Sequence, residues 1–193
     1  MPLSLDYLIS STLSFQTKRA TTFGSIDIAG MKIGIFKSPT YTAADTKSMV
    51  RRVVMFNYVV RAQSNTKPYG YWVSGAGQKG GAPTGGYRVF IMIPQVNMRI
   101  MKSSDYYVKI ANHRYMKPVS TGIPVKVRCD CHDFRWRFAY YDHQSGALYG
   151  ATPPPYTPVP GSTRGPVNPK HLPGLCKHLM AAVKDLRNKK YLG

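Results

Sequence analysis

The chain has 193 residues, and its 27 Lys and Arg stand against 8 acidic residues, all aspartate, for a formal net charge of +19. That length supports one elaborated domain or two small ones. The charge draws the protein towards polyanions, namely nucleic acid, an anionic membrane surface or an acidic protein assembly. The basic residues never run longer than pairs such as Lys18-Arg19, Arg51-Arg52 and Lys189-Lys190, which excludes a basic tail and places the charge on a folded surface.

In chain order, residues 4–15 read as a short opening helix with Ser4 as N-cap, and Leu5, Leu8, Ile9 and Leu13 share one face. Ser25–Ile28 and Met31–Phe36 read as the arms of a hairpin turning at Ala29-Gly30. Residues 42–52 start like a helix capped by Thr42, then give way to a β-branched strand over Val53–Val60. Further strands are expected at Tyr87–Ile93, Tyr106–Ala111 and Val125–Arg128. Arg135–Tyr141 alternates basic and aromatic residues, which favours a half-buried strand over a surface that stacks on bases. Leu175, Leu179, Val183 and Leu186 trace one stripe of a C-terminal helix over 175–187, and its basic end suits the negative pole of the helix dipole.

Two loops interrupt these elements. Residues 74–86 contain Gly75, Gly77 and Gly80 at dinucleotide-fingerprint spacing, but the glycines and Pro83 that follow forbid the helix such a site needs. Residues 151–169 are too rich in proline for helix or sheet and read as an extended arm.

All three cysteines fall in one split signature, Cys129-Asp130-Cys131 and Cys176-Lys177-His178. Three thiolates and one imidazole are the donor set of tetrahedral zinc, and four protein ligands leave no position for water, so the site reads as structural. An odd cysteine count argues against a disulfide framework and for metal ligation in a reducing compartment. A thiolate at a helix N-terminus meets free amide N–H groups that lower its pKa. Residues two apart within a helix point to nearly opposite faces, so Cys176 has to lie at the cap or first turn for His178 to reach the same ion. The plainer alternative is three ordinary buried cysteines with His178 exposed; His132, His143 and His171 are substitute imidazoles. Asp130 and Asp133 flank the ligands and read as acceptors or caps. No pair of carboxylates and no Ser/His/Asp arrangement is readable, and an enzyme is not expected. Neither a secretory leader nor an apolar run of ~18 residues is visible.

The signature resembles the SWIM zinc finger, in which Cys-x-Cys, a variable stretch and Cys-x-His lead into a helix; Asp133-Phe134, Leu175 and Leu179 resemble it as well. The resemblance covers roughly residues 125–187 and departs in its long, Pro-rich spacer. It implies Cys129, Cys131, Cys176 and His178 as ligands of a structural Zn2+, in a module that binds nucleic acid or protein. The segments Arg128–Phe138, Asn168-Pro169 and Pro173–Leu179 also resemble structural proteins of tailed bacteriophages. Together these imply an α+β fold, with a β-rich body and short N-terminal helix over 1–121. A SWIM-like strand-plus-helix unit follows over 122–193, with the Pro-rich insert 151–169. The expected role is a non-enzymatic component of a phage virion, in the tail, baseplate or head–tail region. Its partners would be other virion proteins with acidic surfaces, and DNA through the net charge. Such a chain is assembled in the host cytoplasm, with no membrane span. The alternative is a cytoplasmic nucleic-acid-binding SWIM-type protein.

Overall fold

The computed structural model describes residues 3–15, 26–37, 49–62, 71–72, 79–80, 86–99, 107–112, 114–155, 157 and 168–193. Helix α1 (Leu5–Phe15) comes first, followed by strands β1 (Ile26–Lys37), β2 (Met49–Ala62), β3 (Tyr71–Trp72) and β4 (Lys79–Gly80). Then come β5 (Tyr87–Arg99), β6 (Val108–Ala111), β7 (Arg114–Met116) and β8 (Lys126–Cys129). Three helices close the chain, α2 (His132–Arg137), α3 (Ala139–Gln144) and α4 (Lys177–Asn188). The fold is α+β and β-rich, as the sequence implies. One antiparallel sheet runs in the order β1-β2-β5-β7-β6, with β8 also paired to β5, while β3 and β4 pair separately. Among the described residues no helix is long and apolar enough to cross a membrane.

The sheet has two unlike faces, because side chains alternate along each strand. Phe56, Tyr58 and Val60 of β2, Val89, Ile91 and Ile93 of β5, and Val127 and Cys129 of β8 are buried on one face. Helix α4 packs on that face with Leu179, Ala182, Val183 and Leu186. Tyr58 donates its hydroxyl to Asp185 of α4 at 2.9 Å, and Phe56 lies 5.4 Å from the Tyr191 ring. The buried cluster is continuous from Leu5 to Leu192 and takes in residues of all four helices.

The opening helix forms as expected, with Ser4 Oγ accepting from Tyr7 N–H at 3.2 Å. Its buried stripe differs. Leu13 is 49% exposed, and Ser11 and Thr12 are buried in its place, because backbone groups of the 173–175 segment need their hydroxyls.

The hairpin expected at Ala29-Gly30 is instead one continuous strand, β1, paired with β2 from Ile26 to Lys37. A bulge between Ile28 and Gly30 breaks the register there. It moves the core-facing set from Ile26 and Ile28 to Met31, Ile33 and Ile35, so a phase shift that mimics a turn keeps one face apolar. Met49–Arg52, read as the end of a helix, belong to β2, where Val50 pairs with buried Met98; residues 42–48 lie outside the described residues. The strands expected around 53–60, 87–93, 106–111 and 125–128 form, with β5 running on to Arg99. Tyr106 and most of the 74–86 and 156–167 stretches lie outside the described residues.

Arg135–Tyr141 forms no strand. It spans the end of α2 and the start of α3, hinged at Phe138. The deciding period is four and not two: Phe134, Phe138 and Asp142 are buried while Arg135 stays exposed. Asp133 and Arg137 form an i,i+4 ion pair at 3.0 Å.

The two faces predict opposite mutational responses. Ile91→Ala, at a fully buried position, should cost about 2–5 kcal/mol and lower the urea midpoint without changing its slope. Phe36→Ala, at a position 48% exposed on β1, should change stability by no more than about 0.5 kcal/mol.

Candidate metal centre

The four sequence-predicted ligands converge. The Sγ atoms of Cys129, Cys131 and Cys176 and one imidazole nitrogen of His178 all lie within 4.8 Å of one another, and all four residues are buried. Cys129 Sγ and His178 Nδ1 are 3.8 Å apart. An ion with Zn–S of about 2.3 Å and Zn–N of about 2.0 Å needs tetrahedral edges of about 3.5–3.8 Å. Small side-chain rotations therefore bring this set to coordination distance. The cluster can hold a metal ion.

Each donor is placed by a local feature. Cys129 is the last residue of β8, paired with Val89 in the sheet. Cys131 is the N-cap of α2, with extended φ/ψ of −74/151, and its Sγ accepts from Phe134 N–H at 3.3 Å. Cys176 is the N-cap of α4, with φ/ψ of −73/168, so the cap position anticipated from geometry is the one found. His178 sits one residue into the helix and turns back to the same point.

The segment that delivers Cys176 is clamped from three sides. Thr12 Oγ1 of α1 accepts from Leu175 N–H at 2.6 Å, and Ser11 Oγ donates to the Pro173 carbonyl. Asp142 Oδ1 of α3 accepts from Gly174 N–H at 2.8 Å. Asn168, only 2% exposed, donates from Nδ2 to the carbonyls of Arg137 (2.8 Å) and Leu172 (2.7 Å) and accepts from Leu172 N–H at 3.3 Å. A side chain at position 174 has no room: a Cβ there would meet Phe138 Cε1 at 2.8 Å and Thr12 Oγ1 at 2.9 Å. Ser11, Thr12 and Asp142 were not readable as part of the site. Their one signal is a polar group on an otherwise apolar helical stripe, as with Leu8, Ser11 and Thr12 at i, i+3, i+4.

The thiols are electrostatically unlike. The Cys129 thiol, then the Cys176 thiol, and next to them His178 hold Cys131 well below the usual thiol range, against the effect of burial. Burial, followed by the Cys131 side chain, pushes Cys129 well above it. Burial and then the neighbouring thiols push Cys176 up likewise. Three thiolates packed this closely need a cation among them. Among the described residues His178 Nε2 is buried without a hydrogen-bond partner, and the Tyr87 ring lies 4.7 Å from the imidazole, tilted by 39°. In the tautomer that carries its proton on Nε2, Nδ1 keeps its lone pair for an ion.

The aspartates expected as acceptors or caps spend their charge on arginine instead. Asp130 pairs with Arg88 at 3.0 Å and Arg128 at 3.9 Å, and Asp133 with Arg137. The cap role falls to Cys131. None of the substitute imidazoles joins the cluster: His143 Nδ1 meets Thr152 Oγ1 at 2.7 Å, His171 stacks on Tyr141 with centroids 5.3 Å apart, and His132 begins α2 outside the four. Burial also pushes the Asp142 carboxyl well above the usual range, opposed by Gly174 N–H.

No family model, no curated protein and no solved structure matches this chain.

Because burial pushes the Cys129 and Cys176 thiols up, metal entering the folded site should displace protons from them. Affinity should therefore rise with pH. An indicator dye in weak buffer reads the proton count directly. Gly174→Ala should weaken metal binding by displacing the loop before Cys176, measured by competition with a chromophoric chelator.

Proposed function

We propose that this chain is a non-enzymatic structural protein locked by one zinc ion, and that it serves as a building block of a tailed-phage particle, in the tail, baseplate or head–tail region. The observation that carries the first part is the closure of the site. Four buried side chains supply a full tetrahedral set, and three of them are thiols, which favours zinc over harder cations. No position remains for a substrate or a water to be activated, so the ion's contribution is to folding. It would tie the end of β8 to the start of α4 across the whole 132–175 stretch. The zinc unit, residues 122–193, is SWIM-like in its order: strand, Cys-x-Cys, spacer, Cys-x-His, helix.

The particle role rests on other support. The segments that resemble phage structural proteins, Arg128–Phe138, Asn168-Pro169 and Pro173–Leu179, contribute the four ligands and part of the clamp. Fourteen tyrosines suit subunit interfaces, where an aromatic ring with a polar tip is favoured. A net charge of +19 suits acidic neighbours or packaged DNA.

Metal analysis of purified protein should find one zinc per chain, and none in Cys131→Ala. Structural zinc in such sites contributes roughly 10–16 kcal/mol, so chelator treatment should melt the C-terminal unit, seen as loss of near-UV circular dichroism. A chain that keeps its fold without metal would refute the lock. Mass spectrometry of purified particles of the phage that encodes it should detect the chain in stoichiometric amount, and its absence would refute the particle role.

A further inference from the structure

The sheet face turned away from α4 is ordered in rows by strand register. Lys32, Asn57, Phe90 and Arg128 stand side by side across β1, β2, β5 and β8. Beside them runs a second row of Gly34, Met55, Met92 and Lys126, with Phe36 and Val53 beyond it. On the other flank Val59 pairs with Arg88, and Arg61 follows along β2 opposite Asp27. Met55, Val59, Phe90 and Met92 are half-buried, Phe36 is 48% exposed, and Tyr149 lies 5.7 Å from Phe90. Lys32, Arg61, Arg88 and Lys126 are exposed, and among the described residues Lys32, Arg61 and Lys126 form no ion pair. Asp27 and Asp130 are the acids set against them, and Asp130 is shared by Arg88 and Arg128.

We propose that this face is a docking platform for single-stranded nucleic acid. Its phosphates would lie on Lys32, Arg61, Arg88 and Lys126, and its bases on Phe36, Phe90 and the two methionines. Charge selects a polyanion, because a second copy of this chain carries the same +19 and is repelled. Size selects a strand. Four strands at about 4.8 Å spacing, and eight steps of about 3.4 Å from Val53 to Arg61, give a platform of about 14 by 27 Å. That is about half of the roughly 800 Å² that each partner buries in a stable protein interface. Surface chemistry selects single over double strands. A duplex keeps its bases stacked inside, so rings and thioethers between the cations would have nothing to cover them, whereas an open strand presents a flat face at every nucleotide.

The test is fluorescence anisotropy of labelled dT20, and of a duplex of equal length, with the zinc-loaded full chain at ~50 and ~200 mM salt. The dT20 should bind below about 10 µM at the lower salt and more tightly than the duplex. Lys32→Ala/Lys126→Ala should weaken dT20 binding about tenfold or more and lower the log–log salt slope by roughly 1.4, about 0.7 per lost phosphate contact. Phe36→Ala, which leaves the fold intact, should weaken dT20 about fivefold or more and leave the duplex unchanged. Lys117→Ala/Lys184→Ala, off the platform, should change neither. The proposal is overturned if dT20 fails to bind, if the duplex binds as tightly, or if the off-platform pair costs as much. Displacement of dT20 by poly-glutamate at equal charge also overturns it and points to an acidic protein. Metal content and particle membership are measured separately, so this inference can fail while the zinc-locked building block stands, and the reverse.

Discussion

Four donors from two distant segments have to meet at one buried point, and most of the C-terminal architecture follows from that requirement. Cys129 is fixed by a sheet ladder, which leaves little freedom of its own. Cys176 and His178 arrive from the far end of a long connection and must be steered onto that fixed point. The steering is polar and buried: Ser11 and Thr12 from α1, Asp142 from α3, and Asn168 closing its own loop. A buried polar group left without a partner costs about 1–3 kcal/mol, so each of these contacts resists displacement. The first helix of the chain thereby supports a site more than a hundred residues away in sequence.

Without a cation the meeting point is electrostatically poor. Two of the three thiols are pushed up by burial, the third is pulled down by its neighbours, and His178 Nε2 finds no hydrogen-bond partner among the described residues. An ion bound among them would compensate that crowding. The long Pro-rich connection sharpens the point, because closing a longer loop costs more entropy, though slowly, by about 0.6 kcal/mol per doubling. A bond set of metal strength absorbs that cost easily.

The parts of this arrangement that could be read from sequence were those set by chemistry or by an unbroken period. Three cysteines and His178 in a Cys-x-Cys and Cys-x-His pattern name a donor set wherever they lie, and Leu175, Leu179, Val183 and Leu186 keep helical phase without interruption. What misled was phase that is broken or shared. The bulge at Ala29-Gly30 and a turn leave the same local trace, and only the pairing partner distinguishes them. Arg135–Tyr141 alternates like a strand, yet Phe134, Phe138 and Asp142 impose a period of four once Cys131 caps a helix. Ser11, Thr12 and Asp142 were invisible as site residues because the backbone groups they serve are distant in sequence.

Strand β8 links the two surfaces that define this molecule. Its alternation sends Val127 and Cys129 into the core and the metal centre, and Lys126 and Arg128 onto the opposite, basic face. Arg128 is held in place there by the carbonyls of Tyr149 (3.2 Å) and Ala151 (3.0 Å). The residue between them in this turn is Gly150, at φ +83, where a Cβ would come within 3.0 Å of the guanidinium. The Leu148 strip also bridges β8 directly, with Val127 N–H reaching the Ala147 carbonyl at 2.8 Å and Tyr149 N–H reaching the Val127 carbonyl at 3.0 Å. A slip of one residue in the β5–β8 pairing would turn Lys126 and Arg128 into the core and carry Cys129 to the surface. The register that assembles the ligand set is therefore the same register that lays out the cations, and an ion seated on Cys129 would fix both faces at once.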